Sequence, residues 1–161
     1  MDHPVTPAVR LLRQHAIEFE PRLYDYVEHG GTARSSSALG VDEHCVVKTL
    51  VFETETRKPL VVLMHGDRQV SARNLARQMG VKSVAPCRPE VAEKWTGYQV
   101  GGTSPFGTRT RLPVYVERTI LELPRIWING GKRGFLVALA PAVLRQLLPL
   151  VEVEVALEKS G

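Results

Sequence analysis

The chain has 161 residues and a mass of 17.9 kDa, the size of one domain, with 43% hydrophobic and 24% charged residues. That composition excludes disordered, collagen-like and coiled-coil chains, and a chain this long buries roughly 70% of its unfolded surface without disulfide or metal staples. Lys and Arg number 21 against 17 Asp and Glu, giving a net charge of +4 that is too mild to establish a polyanion partner.

Thr6-Pro7 predicts a helix start, a hydroxyl cap followed by proline, with Ala8, Leu11 and Leu12 as its apolar face. Residues 19–26 read as a strand. Residues 28–37 form a Gly/Ser/Thr-rich loop that begins a short helix toward Leu39, ended by Gly40. Residues 46–52 and 60–65 are β-rich runs joined by a charged loop, a hairpin whose apolar character on both faces predicts central strands of a covered sheet. Ser71 caps the next helix, with Leu75, Ala76 and Met79 on one face and Gly80 at its end. Pro89 opens another, closed by Gly97, with Val91, Ala92 and Trp95 facing inward. Residues 98–100 read as a short strand and 101–113 as a long loop. Residues 114–116 extend again, and 118–123 read as a helical turn. Strands at 125–129 and 135–139 flank a glycine-rich hairpin turn, Pro141 begins a last helix, and 151–155 reads as a terminal strand. The order of hairpins and interspersed helices predicts an α+β fold, a single domain over residues 1–161 with a mixed, mainly antiparallel sheet.

Charge is unevenly distributed. Residues 57–111 hold ten basic and three acidic side chains, whereas residues 1–56 hold five basic and nine acidic. The basic stretch is either a solvated face or a path for a polyanion. Residues 1–19 are interrupted by Arg10, Arg13 and His15, without the apolar run of a secretory signal. The longest mostly apolar uncharged run, 134–144, is well short of the ~20 residues that span a bilayer. These features predict a cytoplasmic protein with reduced thiols at Cys45 and Cys87. No Cys/His pair has zinc spacing, and no metal or other cofactor is expected.

Lys48 is the first anomaly. It shares one side of its strand with Val46, Leu50 and Phe52, so it either reaches water from a strand edge or is held in a cleft. The segment Gly101-Gly102-Thr103-Ser104-Pro105-Phe106-Gly107 is the second. Its glycines let backbone approach a ligand, yet it matches neither a phosphate-binding Walker loop nor a dinucleotide fingerprint, and a wide turn explains it as well. Gly130-Gly131 taken alone is a tight hairpin turn. Nucleophile arrangements are poor: Cys45 beside His44 reads as core, and Ser104 has no Gly-x-Ser-x-Gly elbow. His65 and Asp67 read as residues bordering a turn.

Taken together the motifs form a pattern. Thr6-Pro7-Ala8-Val9, Lys48-Thr49-Leu50-Val51, Thr96-Gly97-Tyr98-x-Val100-Gly101-Gly102-x-Ser104-Pro105-x-Gly107, Arg111-Leu112-Pro113 and Gly130-Gly131-Lys132-Arg133-Gly134 occur in this order. The chain resembles the YbaK family of aminoacyl-tRNA deacylases, related to the editing domain inserted in bacterial prolyl-tRNA synthetases. The resemblance implies hydrolysis of the ester of a mischarged tRNA, typically Cys-tRNA(Pro), by a substrate-assisted route. The alternatives are Ala-tRNA(Pro), a broader specificity, or a non-catalytic tRNA- or protein-binding module of the same fold. It implies as partners the acceptor end of mischarged proline tRNA and, as a candidate, prolyl-tRNA synthetase. It assigns Lys48 as the catalytic lysine, and Tyr24, Gly101, Gly102, Thr103, Ser104, Pro105, Gly130 and Gly131 as substrate-binding positions. The family commonly carries Asp where this chain has Leu136.

Overall fold

A computed structural model describes residues 2–158. Helix α1 (Pro7–Gln14) starts as its sequence predicts, the Thr6 hydroxyl accepting a hydrogen bond from the Val9 N–H at 3.1 Å. Strand β1 (Glu20–Leu23) leads to α2 (Gly31–Leu39), which ends at Gly40 in the left-handed conformation. The hairpin β2 (Val46–Thr54) and β3 (Pro59–His65) follows, then β4 (Arg68–Val70) and α3 (Ala72–Met79), whose first turn is capped by Ser71. Strand β5 (Val84–Pro86), α4 (Pro89–Thr96), the long loop, β6 (Val114–Glu117) and a 3-10 turn (Arg118–Glu122) come next. Strands β7 (Ile126–Lys132) and β8 (Phe135–Leu139), α5 (Ala142–Leu147), β9 (Leu150–Val153) and β10 (Ala156–Glu158) complete the order.

The main sheet runs β1-β8-β7-β2-β3-β6-β9, with β5 beside β2, and β10 pairs separately with β4. Pairings within hairpins are antiparallel, while β2–β7, β3–β6 and β6–β9 are parallel, so the sheet is mixed as expected. Strand β3 shows why its sequence is apolar on both faces. Val61 and Leu63 join a core packed under α1 and α5, while Leu60, Val62 and Met64 join a second core under α3. Each such side chain stabilises the fold by about 1.5–3 kcal/mol through removal from water.

Three features depart from the sequence-based expectation. Residues 98–100 form no strand. Tyr98 is turned into the core, where burial raises its pKa and its hydroxyl donates to the Phe106 carbonyl at 2.6 Å. The last strand region divides into β9 and β10, and at their junction the buried Glu117 carboxylate accepts from the Val155 and Ala156 N–H groups. Cys45 lies half-buried in a 3-10 turn (Glu43–Cys45) and belongs to neither core. No described helix is long and apolar enough to cross a membrane.

Candidate functional site

Strand β2 changes partners along its length. On the side away from β3, parallel β7 pairs with Val46 and Val47, and antiparallel β5 pairs with residues 52–54. Residues 48–51 therefore have no strand neighbour on that side, and there the sheet opens into a cavity of about 800 Å³.

Lys48 lines this cavity, and its ammonium donates to the Arg68 carbonyl at the start of β4. The lysine predicted from its place among apolar neighbours is thus held in a cleft and oriented by main chain. Tyr24, just past β1, forms another wall. Its phenol pKa is raised by burial and by the neighbouring Tyr26. Gly101 and Thr103 come from the long loop, and Leu136 from β8 is almost fully buried.

The other predicted positions lie elsewhere. Ser104 is wholly buried, and its hydroxyl accepts from the Phe106 N–H at 3.1 Å, so it shapes the loop from within. Gly102 packs on the β7–β8 turn, where a Cβ would stand 2.7 Å from the Arg133 backbone nitrogen. Pro105 is buried beside them. Gly130 and Gly131 do not line the cavity: the Gly130 carbonyl accepts from the Thr6 hydroxyl, and a Cβ on Gly131 would meet Tyr98 and Thr6. They seat the turn against the start of α1.

That turn nonetheless reaches the cavity, through residues the sequence reading did not single out. Asn129 donates from Nδ2 to the Gly101 carbonyl at 3.1 Å, while its Oδ1 accepts from the Gly131 N–H at 2.7 Å. Arg133 donates from Nε to the Val100 carbonyl at 2.9 Å and stacks its guanidinium 5.0 Å from the Tyr26 ring centre. Gly101 has φ of +91°, and a Cβ there would lie 2.6 Å from the Tyr26 hydroxyl, so only glycine fits this approach. The β7–β8 turn is a clamp that fixes the Gly101 loop over the uncovered part of β2.

The cavity's charge does not come from the basic stretch 57–111. The cavity's cations are Arg34, Lys48 and Arg133, and none of the ten basic residues between 57 and 111 lines it. Cys87 also faces the cavity, but burial, aided by the nearby Glu53 charge, pushes its thiol up to about 11, so it is un-ionised near neutral pH. Such a thiol is a poor nucleophile. What the wall offers is positioning, cations and main-chain hydrogen-bonding groups.

A second cluster, not anticipated as a unit, gathers His44, His65 and Asp67 with ligating atoms within 4.8 Å of one another. Its rings stack at 3.8 Å and 6°. A metal ion lies close to the plane of each imidazole that binds it, so two parallel rings at this spacing do not share one ion.

Comparison with known proteins adds to this geometry. The aminoacyl-tRNA editing domain pattern matches residues 29–147, a stretch that holds Lys48, Gly101, Asn129 and Arg133. EbsC of Enterococcus faecalis, assigned as a Cys-tRNA(Pro)/Cys-tRNA(Cys) deacylase, is 29% identical over 143 residues, covering 88% of this chain and 87% of EbsC. A proline–tRNA ligase of Nitratidesulfovibrio vulgaris is 35% identical over 99 residues, which are 62% of this chain but 17% of the ligase. A solved structure assigned as a trans-editing enzyme for prolyl-tRNA synthetase superposes with a TM-score of 0.79 at 22% identity, covering 98% of this chain and 100% of that one. The last comparison establishes a shared fold.

Proposed function

The chain belongs to the aminoacyl-tRNA editing domain family, and on that premise we propose that it is an aminoacyl-tRNA deacylase acting in trans, with Cys-tRNA(Pro) as its preferred substrate. The observation that carries this reading is the convergence of Lys48, the uncovered stretch of β2 and the clamped Gly101 loop on one cavity.

The chemistry asks little of an enzymic nucleophile. In the net reaction a water oxygen bonds to the acyl carbon, the bond from that carbon to the ribose oxygen breaks, and the ribose oxygen takes a proton. An aminoacyl ester is already activated, so alignment and charge stabilisation supply the acceleration. Lys48 anchors the phosphate of the tRNA end or the developing oxyanion, and Arg34 and Arg133 add positive charge around the same space. Gly101 and Thr103 bound the acyl group.

Cysteine is favoured over alanine by the likeness to EbsC, assigned as a deacylase of cysteinyl-tRNA. A bound cysteine brings its attacking group with it: its sulfur bonds to its own acyl carbon, the ribose oxygen leaves with the thiol's proton, and water then opens the thiolactone. Proline tRNA is favoured by the likeness to proline–tRNA ligases. Leu136 supports a second reading, a binding module without turnover, because it puts an apolar side chain where the family commonly has a carboxylate.

Purified protein mixed with Cys-tRNA(Pro) and Ala-tRNA(Pro) separates these readings. Release of cysteine, lost by about 100-fold or more in Lys48→Ala, is the expected result. Undiminished release by Lys48→Ala overturns the assignment of the lysine, and binding without release favours the module.

A further inference from the structure

We propose that the aminoacyl group docks on the main chain of Thr49 as a one-residue β-bridge, an inference that rests on the editing reading above. In an antiparallel ladder, successive residues turn their N–H and C=O groups to opposite edges. Thr49 stands opposite Leu63 and Val51 opposite Val61 in the β2–β3 register. The Val61 N–H bonds to the Pro113 carbonyl, away from β2, and the Val51 carbonyl accepts from the Cys87 N–H, away from β3. Residues 47, 49, 51 and 53 of β2 therefore direct their main-chain groups away from β3. Val47 faces β7 and Glu53 pairs with Ala85 of β5. Thr49 lies between them, and its N–H and C=O point into the cavity.

One extended residue presents a donor and an acceptor on the same edge. An aminoacyl ester presents the counterparts, an α-ammonium that donates and an ester carbonyl that accepts. Bridged to Thr49, the ammonium reaches the Thr49 carbonyl, and the ester carbonyl reaches the Thr49 N–H. That N–H then lies where negative charge develops when the acyl carbon is attacked.

The length of the opening selects the occupant. Residues 48–51 span about 13 Å of strand at roughly 3.3 Å per residue. Asn129 closes one end, and Cys87 closes the other by bonding to Val51. A single amino acid fits between them, whereas a peptide strand would have to displace β5 or β7. The bridge uses only atoms common to every aminoacyl ester, so it positions the ester and leaves discrimination among side chains to the walls.

Thr49→Pro tests this directly. It removes an N–H that the β2–β3 ladder does not use, and proline is tolerated in strands where its missing N–H faces away from a partner. With Cys-tRNA(Pro), the variant should lose kcat by about 100-fold or more while KM stays within about threefold and unfolding stays cooperative. If the proline variant does not fold, replacing the Thr49 amide by an ester through the matching α-hydroxy acid deletes the same N–H, and the same loss is expected. Wild-type kcat in either variant, or a change confined to KM, overturns the β-bridge while leaving the editing reading intact. A wild-type protein that hydrolyses no mischarged tRNA overturns both.

Discussion

Two polar clusters lie on or beside the β2–β3 hairpin, and they differ in what their groups face. In the His44 cluster the groups pair with one another and with neighbouring protein atoms. His65, 1% exposed, donates from Nδ1 to the His44 carbonyl at 2.8 Å, and its Nε2 accepts from the Thr119 hydroxyl at 2.7 Å. His44 Nδ1 meets an Asp67 oxygen at 2.9 Å, and Arg68 donates to the other Asp67 oxygen at 2.9 Å. Lys48 and Thr49, on β2, line an open cavity. By composition the histidine cluster looks more catalytic, with two imidazoles and a carboxylate. By geometry it is a fastener, holding together the turn whose Arg68 carbonyl orients Lys48. Reactive residue types in proximity do not make a site; groups arranged around open space do.

Substitutions can break that contrast. The largest effect is expected at Gly102, where an added Cβ meets backbone of the clamp at 2.7 Å and 2.9 Å. Gly102→Ala should shift the loop and lower the deacylation rate by about 100-fold, since a 1 Å misplacement near the chemistry costs that much, with a stability loss of about 1–3 kcal/mol. Initial rates and urea unfolding measured together check both numbers. A wild-type rate per folded molecule, with only stability lost, would erase the distinction between loop and core.

Next is Cys87. With its thiol pushed up to about 11 from 9.0, its thiolate fraction at pH 8 is about 100-fold smaller than that of an ordinary cysteine. Alkylation of the folded protein should be correspondingly slow and should recover on unfolding. Fast labelling would restore Cys87 as a candidate nucleophile.

His65→Leu addresses the fastener. It leaves the His44 carbonyl and the Thr119 hydroxyl without their partner and should destabilise the fold by about 1–3 kcal/mol. Deacylation per folded molecule should change by no more than a few-fold. The same residue sets a pH dependence. Burial lowers the His65 pKa below its ordinary value of 6.5, so the unfolded chain binds the proton more readily than the folded one. Its contribution to stability is thus complete above about pH 6.5 and is lost as pH falls through the lowered folded value. Urea midpoints between pH 7.5 and 5 should fall in the wild type and flatten in His65→Leu.

The smallest effect concerns salt. If Arg133 contacts one phosphate of the tRNA end, Arg133→Ala should reduce the slope of log K against log salt by about 0.7. An unchanged slope would assign Arg133 solely to its contacts with Val100 and Tyr26.

Much of the fold was legible because local chemistry decides it. Thr6-Pro7, Ser71 with Gly80, and Pro89 with Gly97 set helix ends through caps and backbone limits that act within a few residues. Strands β4, β5 and β10 were not legible: each is three residues long, and partners distant in sequence define them. The site divides in the same way. Lys48 stood out because a charge in an apolar row is a local contradiction. Asn129 and Arg133 did not, because their roles depend on a loop about 30 residues earlier folding back to meet them. Gly130 and Gly131 drew attention to the right turn, yet its contacts with the Gly101 loop run through its polar neighbours.

The most direct test of the central claim, that this cavity clears mischarged tRNA, is the hydrolysis rate of Cys-tRNA(Pro) against that of correctly charged Pro-tRNA(Pro), measured with the wild-type protein under identical conditions. Cysteine should be released well above the spontaneous rate while the prolyl ester persists. Equal rates for the two esters, or no release of cysteine above background, would contradict the account.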